Sequence, residues 1–287
     1  MPVGALCLGA AAMGISPIFM RMVAGEVGPL ASAFWRVALA LPLLYGWMRF
    51  EERGAPPARV GAATLLAGLA FAGDLVFWHV AVLATTVANA TFFATTAPVF
   101  VVLVSWLVLR QPVGRGTLAG LALCLCGGAA LIGQTLGIAP ERLTGDLYGI
   151  ATAFFFGLYF IFVARARATA GAARVTFLLS LVTAACLLAA ALAIDAGRIW
   201  PRTAGTWATL VALAAISHAG GQGLLSVALG RLPAVYSSLV IFLEAMVAAG
   251  FAWLLLGEAL TLVQASGGAL ILLGLWVARP RAGPVPA

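Results

Sequence analysis

Ten apolar stretches of about twenty residues each, at 3–20, 29–47, 60–83, 87–109, 117–136, 147–163, 175–194, 207–229, 234–256 and 262–277, leave this chain few ways to fold. A helix of that length crosses a hydrocarbon core about 30 Å thick. Composition agrees, since 63% of the 287 residues are hydrophobic and 9% are charged. Mean hydropathy is +1.10, far outside the range of soluble globular chains. The longest polar joints, 49–59 and 137–145, are too short to hold a folded domain outside the bilayer. The first twenty residues lack the basic start of a secretory signal and have a counterpart later in the chain, so they read as the first span.

The chain also repeats itself. A shift of 147 positions lays Val87-Ala88-Asn89-Ala90-Thr91 on Ala234-Val235-Tyr236-Ser237-Ser238, Trp106 on Trp253, Leu109 on Leu256 and Gly120 on Gly267. Nearer the start the shift becomes 143, setting Gly14 to Phe19 over Gly157 to Phe162. Five spans per copy is an odd number, so the second copy crosses the membrane in the opposite sense to the first. The fold expected is an all-α integral membrane protein of ten transmembrane helices in two inverted five-helix repeats, residues 1–143 and 144–287. Inverted repeats give secondary transporters two interconvertible openings around a site at mid-depth.

The formal charge of +7 comes from arginines at span ends. If the N-terminus lies inside, Arg49, Arg53, Arg59, Arg110, Arg115, Arg165, Arg167, Arg174, Arg231, Arg279 and Arg281 share its face. Arg21, Arg142, Arg198 and Arg202 take the other. That asymmetry places both termini in the cytoplasm and reads as a topology signal, so nucleic-acid binding is set aside. The chain has no lysine and no glycine-rich phosphate loop, which excludes the usual ATP site. Cys7, Cys124, Cys126 and Cys186 lie in apolar runs and serve as small hydrophobes; no metal site, disulfide framework or cofactor is implied. The partners expected are a small-molecule substrate and membrane lipid. The small-residue patterns Gly116 to Gly120 and Gly133 to Gly137 read as seams within a monomer rather than between copies.

Ionisable groups inside a span are costly and mark function by default. They are Arg36, Asp74, His79, His218 and Glu244, with Asp74, His218 and Glu244 near the centres of spans three, eight and nine. Asp74 and Trp78 share a helix face with Phe71, while His79 points about 100 degrees further round. His218, Gln222 and Ser226 recur every fourth residue, a polar stripe that should face the interior. Asn89 and Thr91 in span four match Tyr236 and Ser238 in span nine, one cluster near each mouth. Each such hydroxyl or amide, taken singly, reads more readily as a bond to a neighbouring helix than as a substrate contact. Tyr159 aligns with Ser16 and ranks below Trp78 as a substrate contact. Two readings of Arg36 stay open, a structural bridge to Asp74 and a contact to substrate. Pro98 is expected to kink span four.

Leu254-Leu255-Leu256-Gly257-Glu258 at the end of span nine, followed by Gly267-Gly268 and Gly274 in span ten, resembles the second copy of the EamA domain of the drug/metabolite transporter superfamily. The first copy departs from it, with Arg110-Gln111 where the second has Gly257-Glu258. The resemblance covers the whole chain and implies a non-enzymatic exporter of amino acids or related metabolites in a bacterial inner membrane. An intramembrane enzyme built on a histidine with Asp74 or a serine is the competing class. No metal-binding histidine spacing or nucleophile elbow supports it. A channel lacks a filter-like sequence.

Overall fold

The computed structural model describes residues 2–53, 61–85, 87–132, 140–256 and 261–280. The Gly257-Glu258 pair, the Gly133 to Gly137 pattern and the arginines at 59 and 281 lie outside them. The described residues are helical, with no strand among them. Nine helices there are long and apolar enough to cross a membrane, and Leu262–Ala278 adds a shorter apolar helix of 17 residues, about 26 Å at the α-helical rise.

Prolines divide several spans. Span one is α1 (Pro2–Gly14) and α2 (Ser16–Val23), with Pro17 in the first turn of α2. Span two is α3 (Pro29–Ala38) and α4 (Leu41–Glu51), broken ahead of Pro42. Span three is the unbroken α5 (Ala62–Ala84). Span four is α6 (Val87–Thr95) and α7 (Ala97–Leu103), interrupted at Thr96 ahead of Pro98 and finished by a π turn at Val104–Val108. In each case the ring removes an amide donor and collides with the preceding turn, so the helix restarts with proline in its opening turn. The remaining spans are α8 (Arg115–Ile132), α9 (Leu143–Arg167) and α10 (Ala172–Ile194). Span eight is α11 (Ala204–Ala212), a π-helical stretch at Leu213–Gln222 and α12 (Gly223–Leu229). Span nine is α13 (Ala234–Leu239) and α14 (Phe242–Leu256), and α15 (Leu262–Ala278) follows. No proline accounts for the break between α13 and α14.

Spans two and seven run antiparallel and cap each other. The Asp195 carboxylate, just past α10, accepts from the Leu30 and Ala31 amides of α3 at 2.7 and 3.0 Å. The Glu51 carboxylate, at the end of α4, accepts from the Ala172 and Ala173 amides of α10 at 3.2 and 2.9 Å. A carboxylate at a helix N-terminus satisfies donors that have no partner within the helix and meets the positive end of the dipole. Glycine is needed beside each: a Cβ on Gly28 would lie 2.3 Å from Asp195, and one on Gly171 2.4 Å from Glu51. Arg174 pairs with Glu52 next to the second cap and holds that carboxyl below the usual range.

α8 and α15 are joined by a glycine seam. A Cβ on Gly120 would meet the Gly274 carbonyl oxygen at 2.5 Å, and one on Gly127 the Gly267 oxygen at 2.6 Å, so the helices run antiparallel with backbones in contact. Between these crossings Cys124 Sγ donates to the Ile271 carbonyl at 3.7 Å. Gly120 thus packs inside the monomer.

After the π turn of span four the chain reverses at Arg110, whose φ of 53° is the left-handed conformation. The Gln111 amide closes the turn by donating to the Ser105 carbonyl at 2.9 Å. A side chain in this region costs about 1–2 kcal/mol that glycine avoids. Part of that gain is offset by glycine's greater freedom in the unfolded chain. Arg110→Gly is therefore expected to stabilise the protein by roughly 0.5 kcal/mol, read as a small rise in melting temperature in detergent. A fall would contradict the strain assigned to this residue.

Candidate functional site

Three helix interruptions converge. Gly14, Ser16 and Pro17 from the break in span one, Ala94 and Thr95 from span four, and Ile241 and Glu244 from span nine all line one internal cavity. Such broken helices are tolerated at membrane depth where they face protein or a polar space. Asp74, near the middle of the 23-residue α5, places the cavity midway along that span. Its volume is about 80 Å³, room for several waters on a scale where one needs about 10–15 Å³.

Six of the residues singled out from the sequence meet at this cavity: Arg36, Asp74, Trp78, Thr91, Gln222 and Glu244. Arg36 is 6% exposed and its guanidinium donates to Ser217 Oγ at 3.1 Å; Ser217 in turn shares a hydrogen bond with Ser16. This chain of hydroxyls fixes the guanidinium against the wall. Among the described residues no ion pair within 4.0 Å joins Arg36 to Asp74 or to Glu244, so the bridge that remained open in the sequence is not formed. Arg36 Nε and Glu244 Oε1 are buried there without a hydrogen-bond partner among the described residues. Buried polar atoms are nearly always paired, so two orphans of opposite character in one cavity are the groups a polar solute would satisfy.

Tyr159 and His218 stand one layer behind the wall. Phe71 lies between them, 4.8 Å from the Tyr159 ring and 5.6 Å from the His218 ring by centroid. Tyr159 donates to Gln222 Oε1 at 2.8 Å and so orients a cavity residue. His218 Nε2 is 2.8 Å from Ser180 Oγ, and Ser226 Oγ donates to the Ala172 carbonyl at 3.4 Å, so the polar stripe of span eight faces neighbouring helices as well as the cavity.

The other candidates lie elsewhere. Asn89 donates to Asp146 Oδ1 at 3.1 Å, a carboxylate that also accepts from Thr85 at 2.8 Å. Ser238 returns its hydroxyl to the Val235 carbonyl at 2.8 Å. Tyr236 lines a cleft near Arg115 and Arg279 where span four and α15 end and α8 and α13 begin. His79 faces a second cavity beyond Trp78. These are consequences of partner supply: a side chain with a carboxylate or carbonyl within reach satisfies itself there. Ser16, Ser217 and Thr95, which sequence reasoning passed over, line or support the central cavity. The position of Ser16 beside Pro17, at a helix break, is the signal that would have found it.

Toward the α1 start the cavity ends at Met13 and Ile241, beyond which Leu6, Phe160, Leu225 and Val240 leave no water-sized space. Toward the other end Pro17 and Trp78 line both this cavity and a second one.

The EamA-like transporter family matches residues 1–133 and again residues 143–279. Over 283 residues the chain is 28% identical to an uncharacterized transporter of Archaeoglobus fulgidus, covering 96% of this chain and 94% of that one. A second uncharacterized transporter of the same organism is 30% identical over 148 residues, and there the alignment spans only half of either protein. A solved structure described as the crystal structure of a protein is similar with a TM-score of 0.81 at 19% identity, covering 97% of this chain and 98% of that one; this likeness shows the fold. An all-helical multi-pass membrane architecture and a family match running through both halves lead to one conclusion: the chain belongs to the EamA-like transporter family.

Proposed function

We propose that this protein is a secondary transporter that exports small metabolites, amino acids foremost, across a bacterial inner membrane by alternating access. The observation that carries the reading is the central cavity, where one guanidinium, two carboxyl groups and an indole wall face a common space. A zwitterion needs an anion partner, a cation partner and an apolar surface, and these residues supply all three. Arg36 takes the carboxylate, Asp74 and Glu244 take the ammonium, and Trp78 packs the side chain.

Ten spans in two inverted repeats, 1–143 and 144–287, supply the two openings. Reciprocal contacts support this. Gly14 meets the Glu244 carbonyl and Val247, while Gly157 meets the Ala97 carbonyl and Phe100; shifts of 143 and 147 exchange the two sets. The crossings of Gly120 with Gly274 and Gly127 with Gly267 exchange in the same way, about Cys124 and Ile271. The arginine asymmetry supports cytoplasmic termini, and the inward-facing glycine seam supports a monomer. With two carboxyl groups against one guanidinium, either a proton or the solute's ammonium balances the cavity, so export is driven by solute and proton gradients.

Reconstituted vesicles tested with each of the twenty labelled amino acids are expected to show saturable flux above empty vesicles, faster when a pH gradient is imposed. Absence of flux across the whole set would reject amino acids in favour of another metabolite or drug-like solute. Equal flux with and without the gradient would reject proton coupling.

A further inference from the structure

Beyond Trp78 and Pro17 lies a second cavity of about 140 Å³, and these two residues line both spaces. The second cavity opens where spans one and three end and span two begins. Arg21 and Arg198 stand on its wall, two of the four arginines on the arginine-poor face. His79, 1% exposed, and Ser32, 3% exposed, complete its polar lining.

The chemistry of His79 is decisive. Its Nδ1 lies 2.5 Å from the Leu75 carbonyl oxygen. A carbonyl only accepts, so Nδ1 carries the hydrogen, and in the neutral imidazole Nε2 is then an acceptor. Nε2 is buried without a hydrogen-bond partner among the described residues. An acceptor that shares a cavity with two guanidinium groups suits neither a simple anion nor a simple cation. An anion with no proton of its own, such as sulfate, would satisfy the arginines and leave Nε2 facing oxygen, and an amine would satisfy Nε2 while sharing the cavity with two positive charges. Arg198 is already held at the wall by donating to the Ala24 carbonyl at 2.5 Å, and a guanidinium has further N–H groups that can fork onto a carboxylate.

We infer that this cavity is a second, vestibular binding site for an α-amino acid zwitterion, with Arg21 and Arg198 on the carboxylate, His79 Nε2 on the ammonium, and Trp78 with Pro17 as the partition between it and the central site. The inference rests on the amino-acid reading above and adds to it a second place for the same solute on the path to one face.

The test is equilibrium binding of an equimolar mixture of the twenty ¹⁴C-labelled amino acids to the full-length protein in phosphatidylcholine nanodiscs. Wild type is expected to bind two molecules per chain. Arg21→Gln and His79→Asn, the latter keeping a donor for Leu75 but losing Nε2, each weaken one site about tenfold or more and leave the other intact. His79→Gln, whose amide reaches the Nε2 position, restores most of the loss. Asp74→Asn removes the complementary, central site and spares the vestibular one. Two sites retained in Arg21→Gln and His79→Asn would overturn the vestibular site while leaving the central reading intact. A single wild-type site that is lost only in Asp74→Asn would do the same. No binding at all would overturn both. Tritiated phosphatidylglycerol added to the nanodiscs, occupying the cavity and blocking only the Arg21-dependent binding, would make it a headgroup site and also overturn the proposal.

Discussion

Replacing Arg36 by glutamine is expected to cut the transport rate about a hundredfold or more while leaving a folded protein. The guanidinium is buried beside Asp74 and Glu244 and bonded to Ser217. Removing one charge from such a buried set costs about 2–5 kcal/mol, and each 1.4 kcal/mol is a factor of about ten. Glutamine still reaches a hydroxyl, so the Ser16 and Ser217 bond persists and the wall keeps its shape. The measurement is initial flux in vesicles alongside a gel-filtration profile of the same preparation. Unchanged flux would remove Arg36 from the solute path and return it to a purely structural role. Loss of the monodisperse peak together with flux would also make it structural. A Ser217→Ala variant separates the cases further: it deletes the hydroxyl that orients the guanidinium but not its charge, and flux is expected to fall about tenfold, near one lost charged hydrogen bond.

Gly127→Leu is expected to be among the strongly destabilising single changes in the described residues outside the site. Even a bare Cβ would stand 2.6 Å from the Gly267 oxygen and 2.9 Å from the Ile271 amide nitrogen, backbone atoms that move only if α15 moves as a whole. Overpacking of this kind costs about 1–3 kcal/mol when side chains can yield, and more when backbone must. We expect a loss of about 3 kcal/mol or more, seen as aggregation at temperatures that wild type withstands. Gly46→Leu is the control, since a Cβ there meets nothing within 4 Å. Similar melting curves for the two variants would show that the seam is not as close as described.

The span pattern was legible because a bilayer imposes one length and one polarity on every crossing. The breaks at Pro17, Pro42 and Pro98 were also legible in principle, since proline disrupts a helix wherever it stands. The break between Leu239 and Phe242 and the π-helical stretch at Leu213–Gln222 were not, because no residue there forbids a regular helix. Of the site, the ionisable residues announced themselves by their cost in lipid. Their grouping did not. Asp146 captures Asn89 and the Val235 carbonyl captures Ser238, and neither event can be read without knowing which helices touch. His79 was assigned to the same site as Asp74, five residues before it, yet the helix turn between them puts the two on opposite sides of Trp78. Glu51 and Asp195 drew no attention at all, because a carboxylate at a span end looks like ordinary surface until its partner helix is known.

Those two carboxylates have a mechanical consequence. One fastens spans two and seven together at one surface of the membrane, and the other fastens the same pair at the opposite surface. A beam pinned at both ends resists tilting in either direction. If the cavity opens to alternate sides as proposed, the rocking would pivot around this pair, with the joints at Ile15, Thr96 and Val240 bending while the beam stays still. A cross-link between spans two and seven should leave turnover intact, whereas one bridging the joint in span one should arrest it.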